Sequence, residues 1–200
     1  MRYWFSVAAI ILSAWLTPPA HAADRDLHDC KTNLTIAACS RVIESGTGDA
    51  QVYSSRAVAY MKKKAWSLAI ADITEAIRLN PEYFGHYLMR GDFRTRNGDY
   101  DLAIADLTKS IRLHQSDMKS GKVSVKTDSG FDYLLRGKAY HAKGDYDRAI
   151  ADQTAAIQRS PKWTSPYEDR SKAYKAKGDD ARALADHNEA IRLDPNAGGH

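Results

Sequence analysis

The sequence lacks the patterns on which most enzymes, metalloproteins and disordered chains depend. It holds only 12 glycines and 6 prolines in 200 residues, and 44% of its residues are hydrophobic, which excludes a disordered chain. It has no Gly-rich phosphate loop, no His-Glu-x-x-His motif, no Gly-x-Ser-x-Gly motif and no cluster of metal-ligating residues. We therefore predict a protein that is not an enzyme and that takes no cofactor or metal ion.

Runs of charge of one sign are missing as well. The net charge of +4 would suit an anionic partner, but Lys, Arg, Asp and Glu are interspersed along the chain, which is typical of a mixed solvated surface. The histidines are equally scattered, and we predict surface positions for His28, His86, His114, His141 and His187. Because no basic strip with interleaved aromatic residues occurs, nucleic acid is not an expected partner.

Long apolar runs are absent except near the N-terminus. Residues 5–16 are apolar but too few for a comfortable transmembrane helix, two prolines follow them, and Ala-His-Ala at residues 20–22 fits a cleavage site. We predict a signal peptide over residues 1–22 that is cleaved before Ala23. The mature chain would then have no membrane span and be periplasmic or secreted. An uncleaved N-terminal anchor is the alternative.

What the sequence does contain is one pattern in four copies. In each copy a Tyr stands three residues before an Arg, a small residue follows the Arg, and an Asp stands sixteen residues after it. The four tyrosines are Tyr53, Tyr87, Tyr133 and Tyr167, so the copies are offset by 34, 46 and 34 residues. A unit of this length can bury its apolar face only by stacking on its neighbours, and the pattern therefore predicts a solenoid.

Each unit is predicted to be a pair of antiparallel helices. Small residues recur at the eighth and twentieth positions of the units, where two helices must approach closely. They are Ala57, Gly91, Gly137 and Ser171 at the eighth position and Ala69, Ala103, Ala149 and Ala183 at the twentieth. Gly-Asp pairs separate them at residues 98–99, 144–145 and 178–179, where Gly can end one helix and Asp can cap the next. The predicted fold class is all-α.

The ends of the units point to a known family. In three units the second helix carries Ala-Ile near its end and stops at Pro81, Pro161 or Pro195. With these prolines, the 34-residue period and the recurring Gly, Tyr and Ala, residues 50–197 resemble the tetratricopeptide repeat (TPR) family, in particular an exported bacterial member. The resemblance implies a right-handed solenoid of four helical hairpins. Another helical-hairpin repeat is the alternative.

The units depart from the family pattern at three places. Arg94 stands where the other units have Tyr, Gln115 replaces a terminal Pro, and Lys64 replaces a turn Gly. The predicted domains are the signal peptide 1–22, a half-repeat 23–49, TPR units 50–83 and 84–115, a polar insertion 116–129, TPR units 130–163 and 164–197, and a tail 198–200. The insertion is predicted to be a mobile loop that either bridges the two pairs of units or contacts a partner.

Charged pairs also recur inside the units. An Arg at the seventh position and an Asp at the twenty-third are expected to meet between the two helices in a forked guanidinium–carboxylate contact. The pairs are Arg56 with Asp72, Arg90 with Asp106, Arg136 with Asp152 and Arg170 with Asp186. Because the same pair recurs in every unit and faces no nucleophile, we interpret it as structural rather than catalytic.

Both cysteines lie in the segment that precedes the first full unit. Residues 34–43 align with 68–77, which predicts a half-repeat whose first helix covers about 24–29, with Cys30 in the turn and Cys39 facing inward. Two cysteines nine residues apart in an exported protein most simply form a disulfide. A thiol redox couple and a metal site are the alternatives, but they lack Cys-x-x-Cys spacing and a nearby His pair.

The TPR resemblance further implies a ligand groove lined by the first helix of each unit. The family's usual contact positions hold Met61 and Lys62 in the first unit, Leu88, Asp92 and Arg96 in the second, Phe131, Leu134, Lys138 and His141 in the third, and Lys172 and Lys175 in the fourth. Apolar side chains with basic neighbours predict a partner segment that carries acidic residues. The pattern by which some members clamp a C-terminal carboxylate is absent. Merely solvated side chains are the alternative.

These patterns together predict a non-enzymatic scaffold or adaptor in the cell envelope that binds a protein or peptide in this groove. A periplasmic chaperone-like holder and an accessory subunit of a cell-wall or secretion enzyme are the alternatives. Because no further helix is predicted to cover the last one, self-association into a homo-oligomer through the C-terminal helix is an additional hypothesis.

Overall fold

The repeats fold into pairs of helices. The computed structural model describes residues 20–123 and 130–195, and within them the chain forms ten α-helices and no strand. The helices are α1 (Ala20–Lys31), α2 (Ile36–Glu44), α3 (Ala50–Lys62), α4 (Trp66–Leu79), α5 (Phe84–Asn97), α6 (Tyr100–Lys119), α7 (Phe131–Lys143), α8 (Tyr146–Arg159), α9 (Thr164–Ala176) and α10 (Asp180–Leu193). The predicted all-α array of four hairpins after a half-unit is confirmed. Of the predicted signal peptide, residues 1–19 lie outside the described part.

The helices form two layers. Each helix packs against the next along the chain, and the odd-numbered helices also touch one another in the pairs α1 with α3, α5 with α7 and α7 with α9. Within residues 20–123 and 130–195, no two even-numbered helices make a contact of that extent. The odd-numbered helices therefore lie on the inner, concave side of the array, where the units are closest.

The apolar core is shared between successive units. Phe93 of the second unit packs into the buried cluster of the first unit, which contains Ala57, Ala69, Ile73 and Ala76. Leu135 and Ala139 of the third unit in turn pack on Ala103 and Leu107 of the second. Each unit thus buries its apolar face against its neighbour, which is why the chain stacks rather than forming separate domains.

The small residues at the eighth position mark close helix contacts. A β-carbon added at Gly91 would lie 2.5 Å from Cγ of Leu107, a side chain that is fully buried. At Gly137 it would lie 2.5 Å from Nε2 of Gln153, which is also buried. Both distances are shorter than a β-carbon tolerates, so a larger residue would force the facing side chain to move. The branched side chain of Leu107 has no room to do so, which makes glycine necessary at Gly91. At Gly137, by contrast, the end of the Gln153 side chain would have to shift.

The turns inside the units share one backbone conformation, even where glycine is missing. Gly98, Gly144 and Gly178 have φ angles of 92°, 86° and 77°. Lys64 takes the equivalent place in the first unit with φ 57°. This left-handed conformation costs a residue with a β-carbon about 1 kcal/mol, and the packing of the flanking helices offsets that cost. The departure at Lys64 therefore leaves the turn intact.

The predicted insertion loop is partly helical, so the boundary at Ser116 was wrong. α6 continues to Lys119, and residues 120–123 form a turn; residues 124–129 lie outside the described part. The helix continues because Gln115 stands where the other units have a terminating proline, and its Nε2 donates to the hydroxyl of Tyr133 at 2.8 Å.

The half-repeat also differs from its predicted form. α1 covers Ala20–Lys31 rather than about 24–29, so the predicted cleavage point before Ala23 falls in its first turn. Cys30 lies in the last turn of α1 and not in the loop, because α1 is longer at both ends than predicted. The predicted disulfide to Cys39 is confirmed, and both cysteines are fully buried beside Val52.

Replacing Asp49 with alanine is expected to lower the free energy of unfolding by about 1 kcal/mol. Asp49 caps α3: its Oδ1 accepts a hydrogen bond from the backbone N–H of Val52 at 2.8 Å, and its Oδ2 lies 3.1 Å from Nζ of Lys31. Urea unfolding of the two proteins measures the change. Asp49→Asn is the control, because asparagine keeps the oxygen acceptor and caps helices about as well.

The contribution of Asp49 should also depend on pH. Burial acts to raise the pKa of Asp49, but the bonds from Val52 and Lys31 outweigh it and hold the pKa below its ordinary value of 3.8. A pKa that is lower in the folded state gives stability that is complete above the unfolded value and is lost as the pH falls through the folded one. Asp49→Asn should remove this part of the acid dependence; an unchanged acid profile would contradict it.

Candidate functional site

The structure brings together the Arg and Asp of every unit. In each pair Nε and Nη2 of the arginine donate to the two carboxylate oxygens at 2.7–2.8 Å. The pairs join Arg56 to Asp72, Arg90 to Asp106, Arg136 to Asp152 and Arg170 to Asp186, and the carboxylates are almost fully buried. The hydrogen bonds to Asp152 raise the pKa of Arg136 against the opposing effect of burial. The charges of these arginines and aspartates therefore balance one another inside the units.

Each of these arginines also binds the preceding unit, which the sequence analysis missed. The remaining nitrogen, Nη1, donates to a hydroxyl at 2.8–3.2 Å. The hydroxyls belong to Ser40, Thr74, Thr108 and Thr154 for the first to the fourth arginine. A Ser or Thr recurring at the twenty-fifth position was the available signal. The arginines therefore link successive units as well as the two helices of one unit.

The second unit accommodates its unusual Arg94 by adding it to this network. Nη1 of Arg94 lies 2.6 Å from Oδ2 of Asp106, which already binds Arg90. In the third unit the same position holds Tyr140, and the guanidinium of Arg148 lies 4.6 Å from its ring centre. The substitution thus replaces a cation–π contact by a second ion pair.

On the concave side, most of the predicted groove residues of the first two units pack against or bind other residues of the protein. Met61 and Leu88 are half-buried at the edges of the core. Arg96 is bonded to Asp92 at 3.0 Å, and its guanidinium lies 5.7 Å from the ring centre of Trp66. Lys62, the remaining residue of this set, is exposed.

The prediction that Leu134 faces the groove was wrong, because this side chain is only 2% exposed. Its position on α7 faces the neighbouring helices, and its carbonyl oxygen accepts a hydrogen bond from Nε2 of Gln153 on α8 at 3.4 Å. Phe131, one turn earlier on α7, is 43% exposed, and its ring stacks on Trp163 with centroids 6.0 Å apart. Phe131 therefore supplies the apolar surface at this end of the groove.

Four ionisable side chains meet between α7 and α9. Lys138 and His141 from α7 and Asp169 and Lys172 from α9 line a cavity of about 60 Å³, and we call them the lysine–aspartate cluster. Each lysine Nζ lies 3.4 Å from an oxygen of Asp169. The lysine side chains are 45% and 66% exposed, whereas that of Asp169 is 17% exposed. The ammonium groups are therefore exposed on the concave side, above a carboxylate that is largely covered.

The sequence placed three of these residues in the groove but missed Asp169. The contact positions that the TPR resemblance implies are the second, fifth, ninth, twelfth and thirteenth of a unit, and they do not include the sixth, which Asp169 occupies. The two lysines at the ninth position of adjacent units were the available signal, because two close ammonium groups on adjacent helices need a counter-charge. The predicted groove residue Lys175 lies farther along α9, beside Leu184 and His187 at the last helix pair.

Two family models match the sequence, and both describe the tetratricopeptide repeat. One matches residues 40–117 and the other residues 133–162, which together make up more than half of the chain. The chain belongs to the tetratricopeptide repeat family. This establishes the TPR resemblance that the sequence suggested and rules out another helical-hairpin repeat.

Solved TPR structures share the fold over almost the whole chain. A crystal structure of MamA protein has a TM-score of 0.69 and 18% identity, covering 90% of this chain and 92% of that one. MamA from Desulfovibrio magneticus RS-1, beginning at its residue 41, has a TM-score of 0.70 and 14% identity, covering 88% and 93%. At these identities the likeness shows the fold alone. None of the curated protein sequences compared with this chain matches it.

Two histidines of the TPR units are buried, against the prediction of surface positions. His86 is 3% exposed. Burial lowers its pKa, although a hydrogen bond with the backbone of Asn80 acts in the opposite direction. His114 is 8% exposed; its Nδ1 lies 2.6 Å from Oδ2 of Asp132, and its ring stacks on Phe84 with centroids 4.2 Å apart. The continued α6 places His114 between α5 and α7, which is why it is covered.

Neither a metal site nor a membrane-spanning helix is found in the part of the TPR chain that the structure describes. Among residues 20–123 and 130–195, no three His, Cys, Asp or Glu side chains are placed to hold a metal ion. Over the same ranges, no helix combines the length and the apolar character that crossing a bilayer requires.

Proposed function

We propose that the protein is a non-enzymatic scaffold or adaptor of the cell envelope that binds a segment of a partner protein in the concave groove of its TPR array. The observation that carries the proposal is the lysine–aspartate cluster, whose ammonium groups face the groove while their counter-charge lies beneath them. Charges engaged in the fold, such as the Arg–Asp pairs, are unavailable to a partner; these lysines are exposed and keep free donors.

The proposed location in the envelope rests on two features. The predicted signal peptide over residues 1–22 would export the chain, and the Cys30–Cys39 disulfide joins the only two cysteines. Disulfides persist in oxidising compartments such as the bacterial periplasm and are rare in the cytosol, so the bond supports export. N-terminal sequencing of the protein purified from a periplasmic extract, with Ala23 as the expected first residue, tests this part.

Affinity capture of partners from native periplasmic extract tests the function. Residues 23–200 serve as bait beside a variant that carries Glu at the four basic groove positions, namely Lys138→Glu, His141→Glu, Lys172→Glu and Lys175→Glu. A matched control carries Glu at exposed lysines outside the groove, namely Lys63, Lys64, Lys119 and Lys162. We expect one dominant protein that the native bait and the control retain and the groove variant loses, because repulsion in the groove would oppose an acidic segment.

Other outcomes would favour the rival functions. Many weakly held clients would indicate a chaperone-like holder, and a stoichiometric partner enzyme whose activity changes on binding would indicate an accessory subunit. A partner that the groove variant retains as well as the native bait does would contradict binding in the groove. Thermal unfolding of all three baits, followed by circular dichroism, establishes that each is folded.

A further inference from the structure

The lysine–aspartate cluster carries an excess of positive charge. Lys138 and Lys172 share the single carboxylate of Asp169, at 3.4 Å on either side. Asp92, the acid predicted to line the groove on α5, is already paired with Arg96. On α9 the groove register also holds Glu168, but the three predicted groove lysines of α7 and α9, Lys138, Lys172 and Lys175, outnumber Asp169 and Glu168 by one. The cluster therefore attracts an anionic group rather than a cation.

The cluster also keeps unused hydrogen-bonding capacity. An ammonium group has three N–H donors, so each lysine retains donors beyond the one directed at Asp169. Nε2 of His141 is buried and has no hydrogen-bond partner in the protein, so it can donate to a ligand when it carries the proton. Oδ2 of Asp169 also lacks a hydrogen-bond partner, but it only accepts, and it serves as the counter-charge of the lysines. The cavity of about 60 Å³ between them admits a group of the size of a carboxylate.

An apolar surface lies on the same helix face at a defined distance. Phe131 and Lys138 are seven residues apart on α7, which places them on one side of the helix about 10 Å apart along its axis. Phe131 is exposed and stacks on Trp163, which precedes α9. Both the apolar surface and the cluster are thus built from the same two neighbours, α7 and the α9 region.

We propose that this surface binds an extended segment in which an apolar side chain and an acidic side chain stand three residues apart. The apolar side chain packs on Phe131 and Trp163, and the carboxylate accepts hydrogen bonds from Lys138 and Lys172. In the extended polyproline II conformation, which has three residues per turn and advances about 3.1 Å per residue, side chains three residues apart lie on one side of the segment and about 9 Å apart, close to the spacing of Phe131 and Lys138 along α7. The inference rests on the proposed function and adds the chemical class of the partner segment.

Selection from a displayed library of random peptides on residues 23–200 tests the proposal. We expect enriched peptides to carry Asp or Glu three residues from Leu, Ile, Met, Phe or Trp. The most enriched peptide is then synthesised with a fluorescent label and an amidated C-terminus, so that any carboxylate it offers comes from a side chain. Its Glu→Gln or Asp→Asn form is the ligand control, measured by fluorescence anisotropy.

Protein variants locate the site. Lys138→Gln/Lys172→Gln should lower the affinity for the peptide by about tenfold or more, because charge-assisted hydrogen bonds are lost. The matched pair Lys63→Gln/Lys119→Gln removes the same charge from exposed positions outside the groove and should leave the affinity unchanged. Phe131→Ala should weaken peptide binding without altering its salt dependence. The Lys138→Gln/Lys172→Gln substitutions should reduce that salt dependence.

Enriched peptides without the acidic preference, or equal affinity for the Lys138→Gln/Lys172→Gln variant and the native protein, would overturn the inference. A peptide that binds only with a free C-terminus would assign the carboxylate to a chain end instead of a side chain, which also contradicts it. If the captured partner is still lost from the Glu variant while these peptides fail, the proposed function stands and the ligand class is wrong. If both fail, the groove is not the binding site.

Discussion

Replacing Arg136 with alanine is expected to lower the free energy of unfolding by about 3 kcal/mol, since truncation leaves a nearly buried carboxylate without its partner. Asp152 accepts two hydrogen bonds from Arg136 at 2.8 Å, and the two side chains are 8% and 18% exposed. The variant also loses the bond from Arg136 to Thr108 in the preceding unit. For a chain of this length the melting temperature should fall by roughly 6–12 °C, measured by circular dichroism.

Two further variants distinguish the effect of breaking the buried pair from the effect of removing an arginine as such. Arg148→Ala removes an arginine that pairs with Asp145 at the exposed start of α8, and it should shift the melting temperature far less. Arg136→Leu/Asp152→Leu removes both members of the buried pair and should recover a large part of the loss, because no charge is left unpaired. A melting temperature of Arg136→Ala equal to that of the native protein would show that the pair does not support the fold.

Reduction of the Cys30–Cys39 disulfide is expected to lower the free energy of unfolding by about 2.5 kcal/mol. The bond closes a loop of about ten residues, and the chain-entropy model gives this magnitude for a loop of that length. Both cysteines are fully buried beside Val52, so the loss should be concentrated in α1 and α2. Hydrogen exchange with and without a reductant should show faster exchange in these two helices and little change in α7 to α10.

The double variant Cys30→Ala/Cys39→Ala provides the control for this experiment. It should unfold at the lower temperature of the reduced native protein and should not respond further to reductant, because no disulfide remains. Alanine avoids placing a hydroxyl in the apolar cluster around Val42 and Val52. Equal unfolding of the oxidised and reduced native protein would contradict a stabilising role for the bond.

Several errors of the sequence analysis have one physical cause. A repeat register tells which side of a helix a residue lies on, but its burial depends on what the adjacent unit places against it. His86 shares its register with Val52 and Pro166, which are both buried, and that comparison could have revealed it. Leu134 likewise shares its register with Ser54, which is buried, and with the apolar Leu88. His114 had no such signal, since its burial follows from the continuation of α6.

The sequence by itself determined the repeat architecture. The 34-residue period, the small residues at helix crossings, and the Gly and Pro at helix ends act through local conformation and through contacts that recur in every unit, so they can be read without coordinates. Even the turn at Lys64, which has no glycine, takes the common conformation because the flanking helices impose it.

Only the tertiary structure decided how the charged residues are distributed between the fold and the groove. Lys138 and Asp169 are 31 residues apart and meet only because α9 stacks on α7. The Arg–Asp pairs lie within single units and could be predicted from the register, whereas the contact of α9 with α7 brings the two lysines together and leaves them exposed on the concave face. Charge pairing across units depends on distances between helices, and those distances are fixed by packing rather than by the local sequence.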